Sequence, residues 1–143
     1  MKLNLIAHAV FIVMALVLSG CGSMSGLLQS KNEGTVQAYG VKADQAWDIA
    51  VAALRWEGCE AIEEHRADGY MLTTSGPKLV SGGSMVGVWI EPINEKQTRV
   101  TIVSKRKMQS NAATGLTEST FHRRFAQGVE IVRSGKPLPL NAP

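Results

Sequence analysis

The sequence predicts an α+β fold, an antiparallel sheet of about four to five strands with two helices packed on one face, and three observations carry that expectation. Two segments repeat apolar residues at helical spacing: Trp47, Ala50, Val51 and Leu54, then Phe121, Phe125, Gly128, Val129 and Val132. Between them lie β-prone runs, Tyr70 to Thr74, Met85 to Ile90 and Thr98 to Ser104, the last two alternating apolar with polar or small residues. Turn signals separate the runs. Each helix has a single apolar stripe, so the simplest burial lays both across the same face of the sheet.

In chain order, Thr35 to Val41 is expected as a first strand with Val36, Ala38 and Val41 on or near the core. Asp44 offers an N-cap oxygen for a helix over about residues 45–57, and Gly58 provides the stop. Cys59 to His65 reads as a strand, and its Glu60, Glu63 and Glu64 suit a solvated edge, where charge blocks pairing with other chains. Asp68-Gly69 turns this strand into Tyr70–Thr74 as a hairpin. Ser75 to Ser84, with Gly76, Pro77, Gly82 and Gly83, reads as a loop, and its Lys78-Leu79-Val80 could serve as a contact element.

The second hairpin places Val86, Val88 and Ile90 on one face, turns at Asn94-Glu95-Lys96-Gln97, and returns with Val100 and Ile102 on that face. Asn111 to Gly115 is a small-residue connection. The second helix is expected over about 117–134, with Thr117 as N-cap and Gly135 past its end. The folded unit is therefore 35–136, followed by a tail over 137–143 that begins at Pro137.

The N-terminus carries a different signal. Lys2 supplies a positive start, and Leu5 to Leu18 is a run of 14 residues, apolar except for His8. That is too short to cross a bilayer, which needs roughly 20 apolar residues. Leu18-Ser19-Gly20-Cys21 follows at once, and this order of basic start, apolar run and small residues before cysteine resembles a bacterial lipoprotein signal. The resemblance implies that residues 1–20 are removed and that Cys21 is lipidated. Gly22 stands where an Asp would retain the protein at the inner membrane, so the resemblance further implies the outer membrane, facing the periplasm. Residues 22–34 show no sustained period and read as a flexible tether after Cys21. Thirteen such residues could reach at most roughly 45 Å.

Removal of the signal leaves 123 residues, one domain with tails, carrying 14 basic and 12 acidic side chains. So even a balance argues against a nucleic-acid partner, which calls for a concentrated basic face. With Cys21 lipidated, Cys59 has no partner within the chain and is expected to be buried. No metal or cofactor is expected: His65 and His122 are too far apart in sequence for paired ligand spacing. Cys59 and His65, six apart on one strand, would lie on the same face roughly 20 Å apart, outside the reach a nucleophile and its base require. Gly82-Gly83-Ser84 lacks the Lys and the helix of a phosphate loop. The chain reads as non-enzymatic.

The candidate partner site follows from alternation. If Val86, Val88 and Ile90 face the two helices, Trp89 faces the other way, together with Thr101 and Val103. That open face would present an apolar patch of the kind that marks an interaction site. Lys105-Arg106-Lys107 extends the last strand as a basic cluster, suited either to a solvated face or to lipid headgroups and anionic polymers.

The pattern Ala46-Trp47, Ala53-Leu54, Gly58, Asp68-Gly69-Tyr70, Gly87 to Ile90 and Thr98-Arg99-Val100 resembles that of small envelope lipoproteins of unknown role. Their compact domain has the helix-grip form found in BamC, of the outer-membrane barrel-assembly machinery. The resemblance covers about 100 residues and implies no catalytic residue. The expected function is an accessory one, binding an envelope protein partner, with contact to peptidoglycan or lipid headgroups through the basic face as the alternative.

Overall fold

The structure, a computed structural model, describes residues 24–76, 83–106 and 116–143. Helix α1 (Met24–Gln29) and a 3-10 turn (Lys31–Glu33) precede β1 (Thr35–Tyr39) and α2 (Ala43–Trp56). A first hairpin, β2 (Ile62–His65) and β3 (Tyr70–Ser75), turns through a 3-10 segment at Arg66–Asp68. The second, β4 (Ser84–Asn94) and β5 (Gln97–Arg106), leads to α3 (Glu118–Arg133). The five strands form one sheet in the order β1-β5-β4-β3-β2, antiparallel throughout. The predicted α+β architecture is present.

Both long helices stop where glycine allows it. After α2, Gly58 takes φ 81 and donates to the Arg55 carbonyl at 2.9 Å, while the Cys59 N–H reaches the Leu54 carbonyl at 3.0 Å. After α3, Gly135 at φ 74 donates to Val132 at 3.0 Å and Lys136 to Ile131 at 3.2 Å. These are paired left-handed caps that satisfy the last carbonyls of each helix. At the other end of α3, Thr117 accepts the Thr120 N–H at 3.2 Å, as its N-cap role predicts. Helix α2 begins before the predicted residue 45, so Asp44 lies in the first turn instead of capping it.

The principal core lies between α2, α3 and one face of the sheet. Ile49, Ala50, Ala53 and Leu54 meet Phe121, Phe125 and Val129 over Met71, Val86, Val88, Ile90, Val100 and Ile102, all buried. The helices approach closely at Gly128: a Cβ there would stand 2.6 Å from Ile49 Cγ2.

Three segments depart from expectation. In β1, Val36 and Ala38 pair with Thr101 and Arg99 and so occupy the face away from the long helices; Val36 is 52% exposed. Tyr39 and Val41 supply the core contacts there. Cys59 to Ala61 precede β2 and are not part of it, because the cap that follows α2 sends Cys59 into the core. Residues 24–33, expected as flexible tether, are a helix and a turn. Met24, Leu27 and Leu28, spaced i, i+3 and i+4, form an apolar stripe, too short to stand out among the neighbouring Gly and Ser residues.

Candidate functional site

The second face of the sheet is built by alternation. With Val86, Val88 and Ile90 under the long helices, β4 turns Met85, Gly87 and Trp89 the other way, and the register brings Leu72 of β3 and Val103 of β5 beside them. The faces therefore divide as the pattern predicts. The exposure does not: Trp89 is 6%, Thr101 2% and Val103 2% accessible. The chain covers its own patch, because Leu27 of α1, only 1% exposed, packs with Leu72, Met85, Trp89 and Val103. Met24, Leu28 and Tyr70 close the margin. Trp89 and Val103 are core residues of a second, smaller cluster, Thr101 is buried on the same face, and the open partner patch expected from them is absent.

Two glycines make this closure possible. At Gly87 a Cβ would lie 2.7 Å from Trp89 Cη2 and 3.4 Å from Leu27 Cδ2, so the indole lies flat along its own strand. At Gly34, where the chain leaves the turn for β1, a Cβ would lie 2.6 Å from Val103 Cγ2.

Charges pin the same segment. Lys31 Nζ meets Glu91 Oε1 at 2.6 Å, and Lys105 Nζ meets Glu33 Oε2 at 3.0 Å while donating to Ser30 Oγ. Both pairs are partly exposed, worth at most about 1 kcal/mol each; their effect is to fix the turn over the sheet. Of the predicted basic cluster, Lys105 is thus engaged within the chain, Arg106 is exposed, and Lys107 lies outside the described residues. Cys21 and Lys78-Leu79-Val80 lie outside them too.

The groups with nucleophilic or proton-transfer chemistry are separated. Cys59 is inaccessible, and burial pushes its thiol up to about 11. His65 stacks on Tyr70, centroids 4.5 Å apart, on the face away from the long helices, with Glu63 Oε1 2.6 Å from its Nε2. Cys59 packs in the principal core, so the two are not on one face as the strand reading expected. His122 is buried between α3 and β1: its Nε2–H donates to the Thr35 carbonyl at 3.2 Å, and its Nδ1 accepts from the Tyr39 hydroxyl at 2.8 Å. Burial lowers the His122 pKa against the opposing pull of the Thr35 carbonyl and the Glu118 charge. That triad ties an edge strand to a helix, and no local motif marks it, because its two bonds join residues 83 and 87 positions apart.

A shallow groove of about 400 Å³ at one end of the sheet is lined by Lys31, Asp44, Trp47, Arg66, Asp68 and Glu91, among others. Within it Lys31 pairs with Glu91 at 2.6 Å, while Arg66 turns to Asp48 at 3.2 Å and Glu64 at 3.7 Å, outside the lining, with its guanidinium 5.0 Å over the Trp47 ring. Among the described residues, no three His, Cys, Asp or Glu side chains stand close enough to hold a metal ion. No described helix is long and apolar enough to cross a membrane. No protein-family model matches the sequence, and no curated protein matches it significantly.

Proposed function

We propose that this is a non-enzymatic outer-membrane lipoprotein, lipidated at Cys21, whose periplasmic domain binds an envelope protein partner in an assembly or accessory role. The observation that carries the reading is the order of residues before Cys21: Lys2, a 14-residue run from Leu5 to Leu18, and Ser19-Gly20. The resemblance to small envelope lipoproteins with a helix-grip domain points the same way. An accessory role suits a domain whose thiol, Cys59, is buried and whose buried histidine, His122, has both ring nitrogens engaged within the chain. Since α1 covers the sheet around Trp89, partner contact falls on accessible surface such as that at Arg106.

The experiment is acylation and fractionation of the native chain beside Cys21→Ala, with co-purification of partners from solubilised membranes. The expected result is an acyl mass on wild-type Cys21, and loss of membrane association in the variant. A variant that still pellets with outer membranes after a salt wash overturns the anchor. The alternative, contact with peptidoglycan or lipid headgroups through a basic face, predicts binding that falls steeply with salt. It is the weaker reading because Lys31 and Lys105 are paired with Glu91 and Glu33.

A further inference from the structure

Helix α1 changes what an anchor at Cys21 can do. Only Gly22 and Ser23 separate Cys21 from Met24, the first residue of α1. At no more than about 3.6 Å per residue, that stretch spans at most roughly 11 Å, against the roughly 45 Å available if all of 22–34 were loose. The start of α1 is itself held to the domain: Met24 packs at the edge of the cluster in which Leu27 is buried, and the turn that follows is pinned through Lys31–Glu91 and Lys105–Glu33. The point from which the chain leaves the domain is thus fixed, and it lies on the sheet face opposite the two long helices.

We propose that the surface formed by α1 and the second face of the sheet is a membrane-apposed surface, held against the lipid bilayer by the acyl chains on Cys21, so that α2 and α3 face away from the membrane. This rests on the lipoprotein reading above. The chemistry of the surface agrees with a bilayer as its occupant. The outward residues of α1, Ser25, Gly26 and Gln29, carry no charge, and Val36, 52% exposed, stands on the same face. The charges on that side balance: Lys31 pairs with Glu91 and Lys105 with Glu33, and the register adds Arg99 and Glu63, one of each sign, so no field of one sign would drive the contact. Lipid burial at the neighbouring cysteine supplies the attraction, and the short link sets the orientation.

The test uses the full acylated chain in phosphatidylethanolamine–phosphatidylglycerol vesicles that carry a headgroup energy acceptor. In a Cys59→Ser background, a donor dye is placed by Gln29→Cys on α1 or by Ala126→Cys on the exposed side of α3. These positions are separated by the sheet and a helix layer, roughly 20 Å. The expected result is transfer several-fold stronger from residue 29 than from residue 126. Insertion of roughly twelve Gly/Ser residues between Ser23 and Met24 should reduce the difference sharply, because a flexible linker randomises orientation. Equal transfer from both positions in protein that is acylated and floats with the vesicles overturns the orientation while leaving the lipoprotein reading intact. Absence of an acyl mass on Cys21 overturns both.

Discussion

Trp89 and Leu27, 62 positions apart in sequence, meet over Gly87: a Cβ at residue 87 would stand 2.7 Å from the indole and 3.4 Å from the leucine. The sheet thus has apolar residues buried on both faces, by two long helices on one side and by six residues of α1 on the other. The two layers differ in strength. Trp89 belongs to a central strand, whereas Leu27 belongs to a short element that can open without the rest unfolding. Trp89→Ala is therefore expected to lower global stability by about 3 to 5 kcal/mol, read as a shift in the urea midpoint. Leu27→Asp should cost less globally but expose Trp89, moving its fluorescence to longer wavelength. An unchanged midpoint for Trp89→Ala would mean that the second cluster contributes nothing to folding.

The approach of the long helices gives a second test, in which sign matters more than size. Gly128→Ala would gain about 1 kcal/mol of helix propensity, but its Cβ would fall 2.6 Å from Ile49 Cγ2 in a fully buried contact. Overpacking of this kind costs about 1 to 3 kcal/mol. The single variant should be destabilised, and in an Ile49→Ala background, where Cγ2 is gone, Gly128→Ala should become stabilising. Thermal unfolding of the four members of the cycle checks this, and additivity of the two changes would show that the pair does not couple.

Much of the architecture is legible in the sequence, because Trp47, Ile90, Val100 and Phe125 repeat at the periods of the elements that carry them. The glycines at 58 and 135 mark the helix ends for a conformational reason that is local. Alternation also assigns Trp89, Thr101 and Val103 to the face opposite the long helices. What it cannot supply is the cover. Leu27 lies in a stretch of Gly, Ser and Met with no sustained period, and its helix is stable only because Leu72, Met85, Trp89 and Val103 await it. The His122 site is illegible for a related reason: it consists of one bond to a backbone carbonyl and one to a distant hydroxyl, neither of which leaves a motif.

Cys59 illustrates how a cap decides reactivity. The glycine that ends α2 directs Cys59 into the core, where burial raises its pKa to about 11 and leaves little thiolate at neutral pH. Labelling by a maleimide or an aromatic disulfide should be slow in native protein and accelerate on addition of denaturant. Native labelling as fast as in the unfolded chain would place the thiol at the surface and reopen disulfide formation between molecules.

His122 should give the domain an acid-sensitive fastening. In the folded chain burial lowers its pKa below the ordinary value, with Thr35 and Glu118 opposing, while in the unfolded chain it returns to about 6.5. The unfolded state therefore binds the extra proton more readily. Stability from this group is fully present above about pH 6.5, falls as the pH drops through that value, and levels off below the folded pKa. Protonation would also remove the acceptor lone pair that Nδ1 offers the Tyr39 hydroxyl at 2.8 Å. Urea midpoints measured from pH 8 to pH 5 should fall more steeply for the wild type than for His122→Gln. Tyr39→Phe should lower stability at pH 8 while leaving most of the slope, because burial of the ring is the larger cause of the shift. Parallel curves for wild type and His122→Gln would remove His122 as the source.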